Sequence, residues 1–152
     1  LRVTFSMTPD EIKQFLSSRV PFLQTLGLSL EELSPQGARL RIPLQAGYQN
    51  HSGSLHAGAQ FTAVESCALA LGFAALPGQE VTCHSKSVSL HFRKPVRGEA
   101  LAMAQLHPDT GAGLQERLIA EGKVELQVLV ELQDGSGERL AEGTVTLSLR
   151  RR

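Results

Sequence analysis

Ala57-Gly58-Ala59-Gln60-Phe61-Thr62-Ala63-Val64-Glu65-Ser66-Cys67-Ala68-Leu69-Ala70-Leu71-Gly72-Phe73-Ala74-Ala75-Leu76 is apolar on nearly all sides and stops at Pro77-Gly78. A run of this length closed by a Pro-Gly breaker predicts a helix over about 56–76. A helix lying on a surface would show one polar face, so this one must be surrounded. Between Ala57 and Gln79 the single charged side chain is Glu65. A carboxylate so placed is costly to bury unless it is paired, protonated or working.

The rest of the chain supplies the wrapping. Leu40, Ile42 and Leu44 alternate with Arg39, Arg41 and Pro43, which predicts a first strand over 38–44, with Pro43 marking an edge or a bulge. Further strands are expected over 81–93, 100–107, 123–133 and 139–149. The last two are clearest: Val124, Leu126, Val128, Val130 and Leu132 fall on one face, Asp134-Gly135-Ser136-Gly137 turns the chain, and Val145, Leu147 and Leu149 alternate with Thr144, Thr146 and Ser148. Pro108–Gly113 reads as a loop and Leu114–Glu121 as a short helix. Thr8-Pro9-Asp10-Glu11 is a capping box that opens an N-terminal helix over about 8–20, and Phe22–Leu28 reads as a further helical turn. The expected fold is α+β, a curved antiparallel sheet wrapped around a long central helix, as one domain over 1–152.

Composition excludes several functions. The fifteen basic and fifteen acidic residues cancel without a single-sign block, which disfavours nucleic acid and polybasic membrane attachment as partners. Two cysteines, Cys67 and Cys83, make no disulfide framework and read as reduced core thiols. The 57–76 run approaches membrane-spanning length, but Gln60, Thr62, Glu65 and Ser66 interrupt it, so no membrane span is expected. The chain opens on Leu1 without a secretory leader pattern, which makes the cytoplasm the expected location. No HExxH or CxxC pattern is present, and His84, His91 and His107 fall in strands or at strand ends, so no metal is expected. Gly53-Ser54-Leu55-His56-Ala57 lacks the register of a nucleophile elbow.

The helix entrance, Asn50-His51-Ser52-Gly53-Ser54-Leu55-His56-Ala57-Gly58, is where chemistry is expected. A helix N-terminus presents unpaired N–H groups and partial positive charge, and Gly53 and Gly58 permit close approach of a ligand. The amide of Ala57 or Gly58 is placed to stabilise an oxyanion, with Asn50 and His56 adding side-chain hydrogen bonds. Glu65 would orient or deprotonate water, or attack the carbonyl itself. Asn50 is equally a turn former, and His56 equally a helix-start cap. Ala57 and Glu65 stand about 12 Å apart along one helix, too far to share a carbonyl. Gly58, Phe61 and Glu65 lie within about 40° of azimuth. Two such helices, antiparallel about a twofold axis near Phe61, would bring each entrance to the other's acid.

Asn50-x-x-Gly53-x-x-His56-Ala57-Gly58-Ala59 followed by Glu65 resembles the hotdog-fold thioesterases of the PaaI-like group. The resemblance covers nearly the whole chain and includes Phe92-Arg93-Lys94-Pro95-Val96-Arg97-Gly98, similar to the family's strand-ending pattern. It implies metal-free hydrolysis of acyl-coenzyme A thioesters, with coenzyme A as part of the substrate rather than a cofactor. It also implies homodimers paired into tetramers. On that pattern Asn50 and His56 sit by the thioester, the Ala57 amide is the oxyanion donor, and Glu65 is the acid-base or nucleophilic carboxylate from the partner subunit. Many relatives carry Gly-Gly where this chain has Ala57-Gly58. A Ser or Thr that holds water is also implied, and Ser66, Thr82, Cys83 and Ser85 are the candidates. Gly58, Phe61, Thr82, Ser85, Arg93 and Lys94 are the expected substrate contacts; Arg93, Lys94 and Arg97 would grip phosphates unless they are solvated turn charges. The competing functions are a hotdog dehydratase or hydratase, whose His-Phe-Pro signature is missing, and a non-catalytic acyl-thioester-binding module.

Overall fold

The computed structural model describes residues 6–152; the part of the expected domain that falls on residues 1–5 lies outside the described residues. Helix α1 (Pro9–Arg19) opens on the expected capping box: the Thr8 hydroxyl accepts from the Glu11 N–H at 3.3 Å, and the Glu11 carboxylate accepts from the Thr8 N–H at 2.7 Å. Pro21 then starts the short α2 (Pro21–Thr25). Strands β1 (Ser29–Leu33) and β2 (Gly37–Ile42) precede α3 (Ala57–Ala74), and β3 (Val81–Phe92) and β4 (Ala100–Leu106) follow it. Two small helices, α4 (Pro108–Gly111) and α5 (Leu114–Glu121), lead to β5 (Lys123–Gln133) and β6 (Arg139–Arg151).

All six strands form one antiparallel sheet in the order β1-β2-β4-β5-β6-β3. Helix α3 crosses from β2 to the far edge and touches every strand. Six strands span about 24 Å at ~4.8 Å spacing, against ~10 Å for a helix, so the sheet must curl to reach it from both edges. This is the hotdog architecture. Alanines let the sheet approach: Ala59, Ala63 and Ala68 of α3 are buried in the core shared with the strands. At Gly72 even one methyl group is excluded, since a Cβ would stand 2.5 Å from Leu147 Cδ1 and 2.8 Å from Cys83 Sγ. Ile12, Leu16 and Leu23 of α1 and α2 form a second core against Ala70 and Ala74. Among the described residues no helix is long and apolar enough to cross a membrane.

Three expectations are corrected. The strand expected over 38–44 ends at Ile42, with Pro43 beyond it, and β2 is an interior strand flanked by β1 and β4. Strand β1 went unread because a bulge between Leu30 and Glu32 breaks its alternation. Its Glu31 and Glu32 are held by Arg39 and Arg41 of β2 at 2.6–3.2 Å. The loop expected over 108–113 contains α4, capped by His107 Nδ1, which accepts from the Asp109 N–H at 3.2 Å.

Among the described residues strand β3 is a free edge, paired only with β6. It carries an extra residue, Lys86, between the Ser85–Leu147 and Ser87–Thr146 pairs. The bulge changes which positions face α3. Val81 and Cys83 face inward before it, and Val88 and Leu90 after it. Ser85, the last inward position before the bulge, points at Glu65.

Candidate active site

A tight hairpin builds the helix entrance. The Asn50 N–H donates to the Ser54 carbonyl at 2.8 Å, and Gly53, with φ +73°, turns the chain. Asn50 Oδ1 accepts from the Ser52 N–H at 3.0 Å, the Ser52 hydroxyl at 2.8 Å and the Ser54 N–H at 3.2 Å, while Nδ2 lies 2.9 Å from Ser54 Oγ. Its oxygen is spent inside the turn. Two longer ties fix the hairpin on the body: Leu55 N–H to the Val96 carbonyl and His56 N–H to the Tyr48 carbonyl, both 2.8 Å. Tyr48 in turn donates its hydroxyl to the Leu26 carbonyl at 2.9 Å.

His56 is the N-cap of α3, and its Nδ1 accepts from the Gly58 N–H at 3.0 Å. The proton of the neutral ring then sits on Nε2, which remains a donor. This capping removes Gly58 as an oxyanion donor. Its lack of a side chain serves the ring instead, because a Cβ there would stand 3.2 Å from His56 Nδ1. The N–H groups of Ala59 and Gln60 both donate to the His56 carbonyl, at 3.0 and 3.1 Å. Of the first-turn amides, only the Ala57 N–H has no acceptor among the described residues.

Beside it a cleft of about 300 Å³ is lined by Asn50, Ala57 and Gln60 on one side and by Phe92, Arg93 and Lys94 on the other. The structure therefore brings Arg93 and Lys94 to the entrance, but their charges are engaged: Arg93 binds Glu142 and Lys94 binds Glu138. Arg97 has no ion-pair partner among the described residues. Gln60, only 6% exposed, is a residue sequence reasoning passed over. Its Nε2 donates to the Leu55 carbonyl at 2.9 Å, and its buried Oε1 has no partner among the described residues. The signal was present as a polar interruption in the apolar run.

The second half of the site is eight residues further along α3. Half-buried Glu65 accepts from the Ser85 hydroxyl through Oε1. Ser66 Oγ lies 3.5 Å from Oε2, beyond the range of a good hydrogen bond. Of the four residues offered for this position, Ser85 makes the contact. Thr82 does not: strand alternation puts it on the opposite face of the sheet from Cys83 and Ser85. Cys83 is nearby but inert, its thiol pushed up to about 12 by burial and by the Glu65 charge. Phe61, 44% exposed, stands between the two halves on a stripe of α3 that the sheet leaves open with Gly58, Thr62 and Glu65. Within one subunit Ala57 and Glu65 remain about 12 Å apart. Among the described residues no group of three or more His, Cys, Asp or Glu is placed to hold a metal ion.

Comparison with known proteins places the fold. A protein of unknown function from Pseudomonas aeruginosa, described as a probable thioesterase, has the same fold with a TM-score of 0.83 and 31% identity, over 96% of this chain and 97% of that one. A thioesterase family protein from Silicibacter pomeroyi superposes with a TM-score of 0.78 at 18% identity, over 95% and 100% of the two chains. A thioesterase from Haemophilus influenzae does so with a TM-score of 0.75 at 16% identity, over 95% and 92%. At those identities the last two show the fold alone. Among curated proteins, none matches the chain. Residues 9–149 match the family model described as domain of unknown function DUF4442, and the chain belongs to that family of hotdog-fold proteins.

Proposed function

We propose that the protein hydrolyses acyl thioesters, acyl-coenzyme A among them, at a site shared by two subunits. The observation that carries this is the division of the machinery. A free oxyanion donor, the Ala57 N–H, lies at one end of the open stripe, and an acid held by Ser85 lies at the other. Strand β3 is a long unpaired edge, and such edges invite pairing with a second chain. Antiparallel pairing of two β3 edges sets the twofold axis perpendicular to the sheet. The two α3 helices then lie side by side and antiparallel on one face. Phe61 is midway between Ala57 and Glu65, so an axis near it aligns each acid with the other subunit's entrance. The names of the related structures as thioesterases support the same chemistry.

In this arrangement the thioester carbonyl accepts from the Ala57 N–H, and His56 Nε2–H adds a donor beside it. Glu65 takes a proton from water, and the resulting hydroxide attacks the carbonyl carbon. The charge that develops on oxygen meets a fixed amide dipole at a helix N-terminus. The C–S bond then breaks, and the proton on Glu65 passes to the departing thiolate. Ser85 occupies Oε1 and leaves Oε2 for the water. Neither step uses a metal or a cofactor. A thiol-release assay on a panel of acyl-CoA and acyl-pantetheine thioesters tests the proposal. Turnover that Glu65→Gln abolishes in an intact dimer is expected; no turnover on any thioester, or unchanged turnover in the variant, would overturn it.

A further inference from the structure

The cleft at the helix entrance offers two unsatisfied groups of opposite kind. Among the described residues the Ala57 N–H is a donor without an acceptor, and Gln60 Oε1 is a buried acceptor without a donor. The orientation of the Gln60 amide is set by its own contact, because Nε2 must face the Leu55 carbonyl. A buried acceptor left without a donor is destabilising, so an orphan beside a cleft calls for a partner that the described residues do not supply. Side chains on a helix lean towards its N-terminus, which turns Gln60 back along the first turn towards Ala57. The two groups are three residues apart, about 4.5 Å along the axis.

Resting on the thioester reading of this entrance, we infer that Gln60 binds a hydrogen-bond donor on the substrate, three or four bonds from the thioester carbonyl held by Ala57. Two parts of a thioester can present one. The cysteamine arm of pantetheine carries an amide N–H four bonds from the carbonyl carbon, through sulfur and two methylenes. A 3-hydroxyacyl group carries an O–H three bonds away on the other side. Both are common polar features of acyl thioesters, and neither needs the nucleotide of coenzyme A. That fits a cleft where Arg93 and Lys94 are already neutralised by Glu142 and Glu138.

The test is binding of non-hydrolysable ketone analogues, with a methylene in place of sulfur, measured by calorimetry on the full chain. One pair of probes compares an N-acetylcysteamine arm with its ester isostere lacking the N–H. A second pair compares 3-hydroxybutyryl with butyryl. Loss of the relevant donor should weaken binding to the wild type about tenfold, and Gln60→Met should bind both members of that pair equally. Whichever pair responds names the source of the donor. Equal binding within both pairs by the wild type, as when water alone satisfies Gln60, overturns the inference. So does discrimination that survives in Gln60→Met, or no binding of any ketone. Gln60→Leu, which likewise lacks an acceptor, should also bind both members of the pair equally and serves as the readout if the methionine variant does not fold. Discrimination by ketones with no thioester hydrolysis would sink the hydrolytic reading and leave this one standing.

Discussion

Ser85 donates its hydroxyl hydrogen to Oε1 of Glu65, joining the free edge of the sheet to the central helix at its only charged residue. The contact exists because Lys86 is an extra residue in β3, so Ser85 faces inward without disturbing Val88 and Leu90. Substitution should separate the two roles. Glu65→Gln removes the proton acceptor and should lower kcat by roughly 10²–10⁴. Ser85→Ala only frees the carboxylate to rotate and should lower kcat about tenfold with little change in KM. A Ser85→Ala enzyme as slow as Glu65→Gln would mean that Ser85 takes a direct part in the reaction.

The cap on α3 gives a second prediction. In Gly58→Ala a methyl group would stand 3.2 Å from His56 Nδ1, so the ring must shift and its hydrogen bond to the Gly58 amide weakens. The expected stability loss is about 1 kcal/mol, typical of a lost N-cap, together with reduced kcat/KM. Thermal unfolding and steady-state rates on the same preparation check both. Stability falling with activity unchanged would show that His56 caps the helix and does nothing more.

The proposed sharing of the site between two subunits predicts complementation. Phe61→Asp sets two carboxylates close together across the proposed axis and should yield an inactive monomer in analytical ultracentrifugation. Mixed dimers of Glu65→Gln with Gly58→Val contain one undamaged combination of entrance and acid. They should recover turnover that neither parent dimer shows. If the mixtures stay silent while each parent remains dimeric, acid and entrance do not meet across subunits.

The buried thiols predict the alkaline limit of stability. Burial holds Cys67 and Cys83 at about 12, against an ordinary 9.0. Between those values the folded chain keeps protons that the unfolded chain has released. Stability contributed by the neutral thiols is therefore full below pH 9 and lost as pH rises towards 12, by about 1.4 kcal/mol per pH unit for each thiol. Urea midpoints of the wild type should fall more steeply over this range than those of a Cys67→Ala, Cys83→Ala variant. Parallel curves would refute the prediction.

How much of this was legible in the sequence depended on whether a period ran unbroken. Strand β5 and the Thr144–Leu149 half of β6 alternate cleanly and read directly, as did α3 with its Pro77-Gly78 stop. Strand β1 did not, because a bulge and two adjacent glutamates conceal its alternation. The same effect left Thr82, Cys83 and Ser85 unresolved as partners of Glu65: only Ser85 makes the contact, and β3 changes the parity of its inward face at Lys86. The general chemistry of helix ends pointed to the entrance but left Ala57 and Gly58 both open as donors; the cap from His56 is what engages the Gly58 amide. Gln60 was not legible, since nothing in a sequence tells a satisfied buried amide from one with an orphaned oxygen.

The placement of β3 also sets an order in time. Among the described residues its one neighbour in the sheet is β6, which comes after the other five strands in chain order, although β3 follows α3 directly. As the chain leaves the ribosome, Glu65 and its helix are made early, while the strand carrying Ser85 waits for Arg139–Arg151 before it has a partner. A contact so distant in sequence is slow to form. The acid is therefore in place well before the residue that aims it, and a chain stalled short of β6 would carry an unanchored Ser85 beside an unguarded edge.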